Sequence, residues 1–259
     1  MNNIKGIYTI WWRDILRFWR DKPRIIGAIA QPALFLFVFG VGLSKGLGGA
    51  LSGGQGGALP GGFDYVTFIF PGIIGMTVLF TSIFSAISII WDREFGFLKE
   101  VMVAPLSRWA VVVGKALGGS TVAMFQGTLI LLFAPILKVS LTPLKFVEML
   151  GLMFITSFAL TSLGIVIAAR MKSMEGFQMI MNFFLMPMFF LSGAMFPLQN
   201  LPTWMKMLVE VNPLSYGVDI MRYTVIGVNT YPIWRDLAVI IGFGVLMIGL
   251  AVFEFGRTE

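Results

Sequence analysis

Six stretches without a single charged side chain constrain what this chain can fold into. They cover residues 25–43, 66–91, 116–137, 149–169, 176–205 and 237–253, with lengths of 19, 26, 22, 21, 30 and 17. About 20 apolar residues of α-helix cross the hydrocarbon layer of a bilayer, so each stretch is long enough to cross or close to it. Composition supports that reading, with 57% of the 259 residues hydrophobic and 12% charged. A soluble domain carries about a quarter charged residues. A disordered chain could not keep 25 Phe and 17 Met in water. The expectation is an all-α integral membrane protein with spans at about 25–43, 66–91, 110–137, 147–169, 176–197 and 237–255.

Basic residues set the orientation. If the N-terminus is inside, the inner segments hold 12 Lys and Arg in 54 positions and the outer segments hold 6 in 69. That bias predicts cytoplasmic N- and C-termini, and it accounts for the net charge of +6 without any need for nucleic acid. Cysteine and histidine are absent, which removes disulfides, thiolate chemistry and any metal site built on those ligands. The stretch before the first span has no small-residue cleavage site and is not expected to be a signal peptide.

Two flanking regions carry their own patterns. Residues 7–21 read as an amphipathic interfacial helix, with Tyr8, Trp11, Trp12 and Trp19 on one half of the wheel and Arg13, Arg17 and Arg20 opposite. Pro23 is expected to break it before the first span. Residues 201–228 are too apolar for a solvated loop and predict two short outer re-entrant helices, separated at Asn212-Pro213. Residues 44–65 are a glycine-rich outer tether.

Catalytic motifs are missing. Leu51-Ser52-Gly53-Gly54-Gln55 spells the signature of ABC-type ATPases, but it lies in the glycine-rich tether and no phosphate-cradling GxxxxGK[ST] loop accompanies it. The 13 Asp and Glu sit at span ends, so paired carboxylates for hydrolysis are not expected. An ion-coupled carrier normally buries an ionisable group at mid-bilayer, and none of the six stretches has one there. The hydroxyl residues Thr77, Thr81, Ser82, Ser85, Ser88, Thr156, Ser157, Thr161 and Ser162 fit close helix packing and interhelical hydrogen bonds.

The segment between the second and third spans carries the most information. Asp92 can start a helix and Pro105 can end it, and Phe95, Leu98 and Val101/Met102 form one apolar stripe. Such a stripe suits docking into a groove on a partner; the alternative is a helix lying along the membrane surface.

Arg93-Glu94-x-Gly96, Pro105-Leu106-Ser107-Arg108 and Gly114-Lys115, together with Phe70-Pro71-Gly72, Leu191-Ser192-Gly193, Phe196-Pro197, Asn212-Pro213 and Arg222, resemble the pattern of ABC type-2 permeases, similar to drug exporters and lipo-oligosaccharide exporters. The resemblance spans nearly the whole chain. It implies the membrane subunit of an exporter, working as a homodimer with two copies of a separate ATPase that holds ATP and Mg. This chain is then expected to carry no cofactor and no catalytic site.

The same resemblance makes 92–104 a coupling helix, with Arg93, Glu94, Gly96, Leu98, Pro105, Ser107 and Arg108 as the residues that face the ATPase. A prokaryotic inner or plasma membrane is the expected location. The methionine-rich fifth span offers a polarizable surface for drug-like or lipid-like substrates. Thr81, Ser85, Asn182, Met186 and Phe189 are the expected substrate pathway, the last three being placed on one face of the fifth span. A lipid-linked oligosaccharide exporter and an ATP-independent channel or carrier are the alternative readings.

Overall fold

The computed structural model describes residues 3–42, 65–95, 106–137, 139, 141–171, 173–198 and 201–257. Among these residues the chain is helical, with no strand. The helices are α1 (Asn3–Arg20), α2 (Lys22–Leu34), α3 (Tyr65–Ser85), α4 (Ile87–Glu94), α5 (Arg108–Leu131), α6 (Pro143–Arg170), α7 (Met174–Phe190), α8 (Thr203–Val211), α9 (Pro213–Ile226) and α10 (Ile233–Arg257). A π-helical turn, Phe35–Val41, extends α2. Among the described residues three helical stretches are long and apolar enough to cross a membrane: Tyr65–Glu94, Pro143–Arg170 and Ile233–Arg257. Ile25–Val38 is a shorter apolar helix.

Helix α3 is apolar around its whole circumference, so it has to be enclosed by other helices or lipid. It is enclosed by protein. Phe68, Phe70, Ile73, Ile74, Leu79 and Ile83 are all buried among its neighbours. Helix α6 packs against α3, α5, α9 and α10. Small residues let these helices approach closely. A Cβ on Gly164 of α6 would lie 3.1 Å from the Ile83 carbonyl of α3, and Ser157 Oγ donates to the Ser120 carbonyl of α5 at 3.2 Å. Other hydroxyls bond within their own helix, as Thr77 does to the Ile73 carbonyl at 2.9 Å. Helix α10 turns Val245, Leu246 and Phe253 outward, an apolar face that suits contact with lipid.

Two local expectations change in the folded chain. The break after α1 falls at Asp21, not at Pro23, because Pro23 occupies the first turn of α2, where its missing N–H costs no hydrogen bond. Asp92 does not start a helix; it lies in the last turn of α4. Helix α1 packs by a narrow stripe that the amphipathic wheel did not single out. Gly6, Ile10 and Phe18, together with Asp14, form a stripe at four-residue spacing that runs along α5, and the aromatics Tyr8, Trp12 and Trp19 stay exposed. The fit depends on glycine: a Cβ on Gly114 would meet Ile10 Cβ at 3.0 Å, and one on Gly118 would meet Asp14 Cβ at 2.9 Å. Trp11 Nε1 adds a hydrogen bond to Thr121 Oγ1 at 3.0 Å.

Candidate functional site

At the end of the bundle where α1, α4 and α5 meet, five charged side chains converge. Lys115 of α5, only 5% exposed, places Nζ 2.7 Å from Asp92 Oδ2 and 3.3 Å from Asp14 Oδ1, and donates to Ser88 Oγ at 3.1 Å. Arg13 donates to Asp92 Oδ2 at 2.7 Å, and Arg17 lies 3.9 Å from Asp92 Oδ1 while stacking over the Trp91 ring at 4.8 Å. Two arginines expected to face lipid headgroups are thus turned onto a carboxylate. Lys115, Asp92 and Asp14 are largely shielded from water, where ions are tolerated only when paired and hydrogen-bonded, and this network meets both conditions. It joins three helices through one carboxylate, Asp92, one residue before Arg93.

The residues expected to face an ATPase fall into four groups. Arg93 turns inward: its guanidinium donates to the Met171 carbonyl at 2.8 Å and the Ala169 carbonyl at 3.0 Å, two of the carbonyls left open at the end of α6. Glu94 is exposed at the end of α4. Ser107 takes the position before α5, where its N–H donates to Asn3 Oδ1 at 3.2 Å, and Arg108 donates to the Gly256 carbonyl at 2.7 Å. Gly96, Leu98 and Pro105 lie outside the described residues, as do most of the expected coupling helix and the glycine-rich tether. Lys115 and Asp14 were not expected as site residues. Their signal was present: a lone cation at the edge of an apolar run, and a lone acid among the arginines of α1.

The opposite end of α3 has a different construction. Asn212 starts α9 by accepting from the Leu214 N–H at 3.1 Å, with Pro213 as the first helical residue. From there α9 caps the end of α7. Asn212 Nδ2 donates to the Met188 carbonyl at 2.7 Å, Ser215 Oγ to the Leu191 carbonyl at 3.3 Å, and Arg222 Nη2 to the Gly193 carbonyl at 2.5 Å. The Arg222 guanidinium also stacks on Phe68 at 4.2 Å, and burial pulls its pKa down to about 10, so it stays charged at neutral pH. Gly193 adopts φ +72°, the left-handed turn that glycine tolerates. That turn rests on Gly72 of α3, where a Cβ would sit 2.3 Å from the Ala194 carbonyl oxygen.

Two carboxyl groups stand beside this cap in contrasting surroundings. Asp219 accepts from the Thr230 and Tyr231 N–H groups at 2.7 and 2.9 Å, whereas Asp236, 0% exposed, has no hydrogen-bond donor among the described residues. Asp236→Asn is therefore expected to leave the thermal unfolding temperature in detergent unchanged or raise it. Asp219→Asn is expected to lower stability by about 2 kcal/mol, since its charge-assisted bonds weaken. A drop of equal size in both variants would contradict this reading of Asp236.

The expected pathway residues are not brought together. Thr81 donates to Gln126 Oε1 of α5 and faces a cavity of about 250 Å³ walled by α2, α3 and α5. Ser85 bonds to the Ser82 carbonyl at 2.7 Å and faces Gly119 beside the ion cluster. On α7, Asn182 and Met186 are exposed while Phe189 is buried, so these three do not share one environment. No α7 residue lines the cavity beside Thr81.

Apolar helices of spanning length, a buried charge joint at one end and a helix-capping hairpin at the other define a membrane transport subunit without a recognisable catalytic constellation among the described residues. The chain matches the family described as ABC-2 type transporter over residues 5–226 and belongs to that family, as a membrane component of an ABC transporter. It is 26% identical over 254 residues to the inner membrane transport permease YadH of Escherichia coli (strain K12), covering 96% of this chain and 91% of that one. With Nodulation protein J of Rhizobium leguminosarum bv. viciae it shares 29% over 223 residues, 85% of this chain and 82% of the relative. A third relative, from Escherichia coli (strain K12), carries the name Probable multidrug ABC transporter permease YbhR; it is 29% identical over 164 residues, 61% of this chain and 44% of its own length.

Proposed function

We propose that this chain is the permease of an ATP-driven exporter, crossing the membrane six times with both ends cytoplasmic and working as a homodimer with two copies of a separate ATPase. The observation that carries the reading is the charge joint, because Asp92 ties α1, α4 and α5 together next to the segment that the family resemblance assigns to the ATPase. A push on that segment from a closing ATPase pair reaches Asp92 and Arg93 first. Through them it reaches the end of α6, so the bundle tilts as a unit.

The three long apolar helices support this count, as do α2, α5 and α7, which overlap the remaining uncharged runs. The excess of Lys and Arg on the segments beside α4 supports the orientation, and a prokaryotic inner membrane agrees with the relatives named above. The exposed apolar face of α7, including Met179 and Phe183, is the surface offered to the second copy. ATP and Mg belong to the ATPase subunit, and this chain catalyses nothing itself. The substrate is a hydrophobic drug-like or lipid-like molecule, a class consistent with the multidrug name of one relative.

Affinity purification of the tagged chain from its native membranes in mild detergent, followed by mass spectrometry, tests the assignment. A soluble protein with a complete nucleotide-binding loop, near one copy per permease, is the expected companion. A folded dimer that purifies without one would favour a channel or carrier. Once the complex is in hand, Gly96→Trp or Glu94→Trp is expected to abolish substrate-stimulated ATPase activity while membrane insertion stays normal. Unchanged stimulation in both variants would remove the coupling role from 92–104.

A further inference from the structure

The cavity of about 250 Å³ beside Thr81 has a composition unusual for the interior of an apolar bundle. Among the described residues no charged side chain lines it. Its walls are aromatic and thioether, from Phe80, Phe84 and Met76, and two carboxamides reach it, Gln31 from α2 and Gln126 from α5. Gln126 is buried, and only its oxygen is engaged, by the Thr81 hydroxyl. Among the described residues its Nε2 donates to nothing, and the Gln31 carboxamide has no hydrogen-bond partner. That nitrogen is not among the sealed-off side-chain atoms, so it is a donor open to the cavity, and an acceptor brought in by a ligand would pair with it.

The volume fixes the size of that ligand. Benzene occupies an apolar cavity of about 150 Å³, so 250 Å³ accommodates a substituted ring or a small fused pair, less than a drug-sized molecule. The α2 wall is also the least regular part of the bundle. Pro32 lies inside the helix and lines the cavity, and the π-helical turn Phe35–Val41 follows directly. Both features loosen a helix locally, and π-helical turns recur at functional sites. The wall that would have to move to admit a ligand is thus the one whose hydrogen-bond ladder is already interrupted.

We infer that this cleft is a binding site for the neutral, ring-shaped, hydrogen-bond-accepting part of an amphiphilic substrate, with Gln126 Nε2 as the donor that recognises it and α2 as its movable wall. The inference rests on the exporter reading for the word substrate, and it moves the site away from the α7 face to the space between α2, α3 and α5.

Benzophenone is a suitable probe, being a neutral two-ring ketone that on irradiation inserts into nearby C–H bonds. The full chain in lipid nanodiscs is irradiated with it, and the adducts are mapped by mass spectrometry. Met76 is 1% exposed and lines the cavity, whereas Leu246 is 57% exposed on the lipid-facing side of α10 and reports simple partition into lipid. The expected result is strong labelling of Met76, reduced roughly tenfold in Gln126→Leu, the change that one lost hydrogen bond produces, with Leu246 labelling unaltered.

Gln126→Leu also leaves the Thr81 hydroxyl unpaired, so Gly27→Trp provides a second block. Gly27 lines the cavity and a Cβ there meets nothing within 4 Å, so an indole can be added at the rim of the cleft without a clash at its root. It too is expected to suppress Met76 labelling. The inference is overturned if Met76 labels no more than the detection background, or if neither variant changes its labelling. Met76 labelling lost in both variants, in a chain that recruits no ATPase, would leave the ligand site standing and remove the exporter reading. Recruitment of an ATPase with Met76 unlabelled would do the reverse.

Discussion

Asp92→Ala is expected to lower the stability of the protein in detergent by roughly 3–5 kcal/mol, the usual consequence of removing one partner from a buried ion pair. In a chain of this size that is a fall of roughly 10 °C in the unfolding temperature. The reason is specific to the geometry. Asp92 is the carboxylate nearest to Lys115, which without it would be left with Asp14 and the Ser88 hydroxyl, and it also holds Arg13 and Arg17. Lys115 suffers most, since it is nearly inaccessible to water.

The double variant Asp92→Asn with Lys115→Met separates charge from architecture. It removes one buried charge of each sign and is expected to recover most of the lost stability, because an uncharged replacement of a buried pair is often neutral. Export is expected to remain impaired, since the joint between α1, α4 and α5 is gone. Thermal unfolding of the purified single and double variants is the measurement. An Asp92→Ala protein that melts with the wild type would show that the cluster holds nothing together.

Gly72→Ala adds one methyl group and is expected to cost about 3 kcal/mol, the upper end for overpacking, because the obstacle is backbone. The new Cβ would stand 2.3 Å from the Ala194 carbonyl oxygen, in a turn held in place by the Arg222 bond to the neighbouring Gly193 carbonyl. Neither side has a flexible side chain to move aside. Gly151→Ala is the matched control: it also lies in a long apolar helix, but its Cβ meets nothing within 4 Å. There the substitution is expected to be neutral or stabilising by up to about 1 kcal/mol, as alanine is the better helix former. Equal unfolding temperatures for the two variants would show that the cap and α3 are not in the close contact described.

Much of the molecule was legible before folding. The uncharged runs located the long apolar helices, and Asn212-Pro213 marked the junction of α8 and α9 to the residue, because a capping side chain followed by proline encodes a helix start locally. Gly114-Lys115 and Phe70-Pro71-Gly72 were readable as motifs but not as mechanisms. Their glycines matter because of Ile10 and Ala194, partners 104 and 122 positions away in the chain. The amphipathic wheel of α1 indicated a helix but not the stripe by which it packs on α5. Hydrophobic periodicity measures contrast between faces, and it cannot anticipate that two arginines will find a carboxylate on another helix.

Membership of an α-helical membrane class was decided by one-dimensional facts: run length against bilayer thickness, the distribution of basic residues, and the absence of catalytic motifs. These need no partner residue, since lipid itself is the environment that each run must satisfy. The convergence of Asp14, Asp92 and Lys115, the capping of α7 by α9, and the cleft that holds Thr81 against Gln126 depend on which helices become neighbours. That choice is made by close packing at glycines and by the pairing of buried charges such as Lys115 with Asp92, and both operate across sequence separations that periodicity does not register.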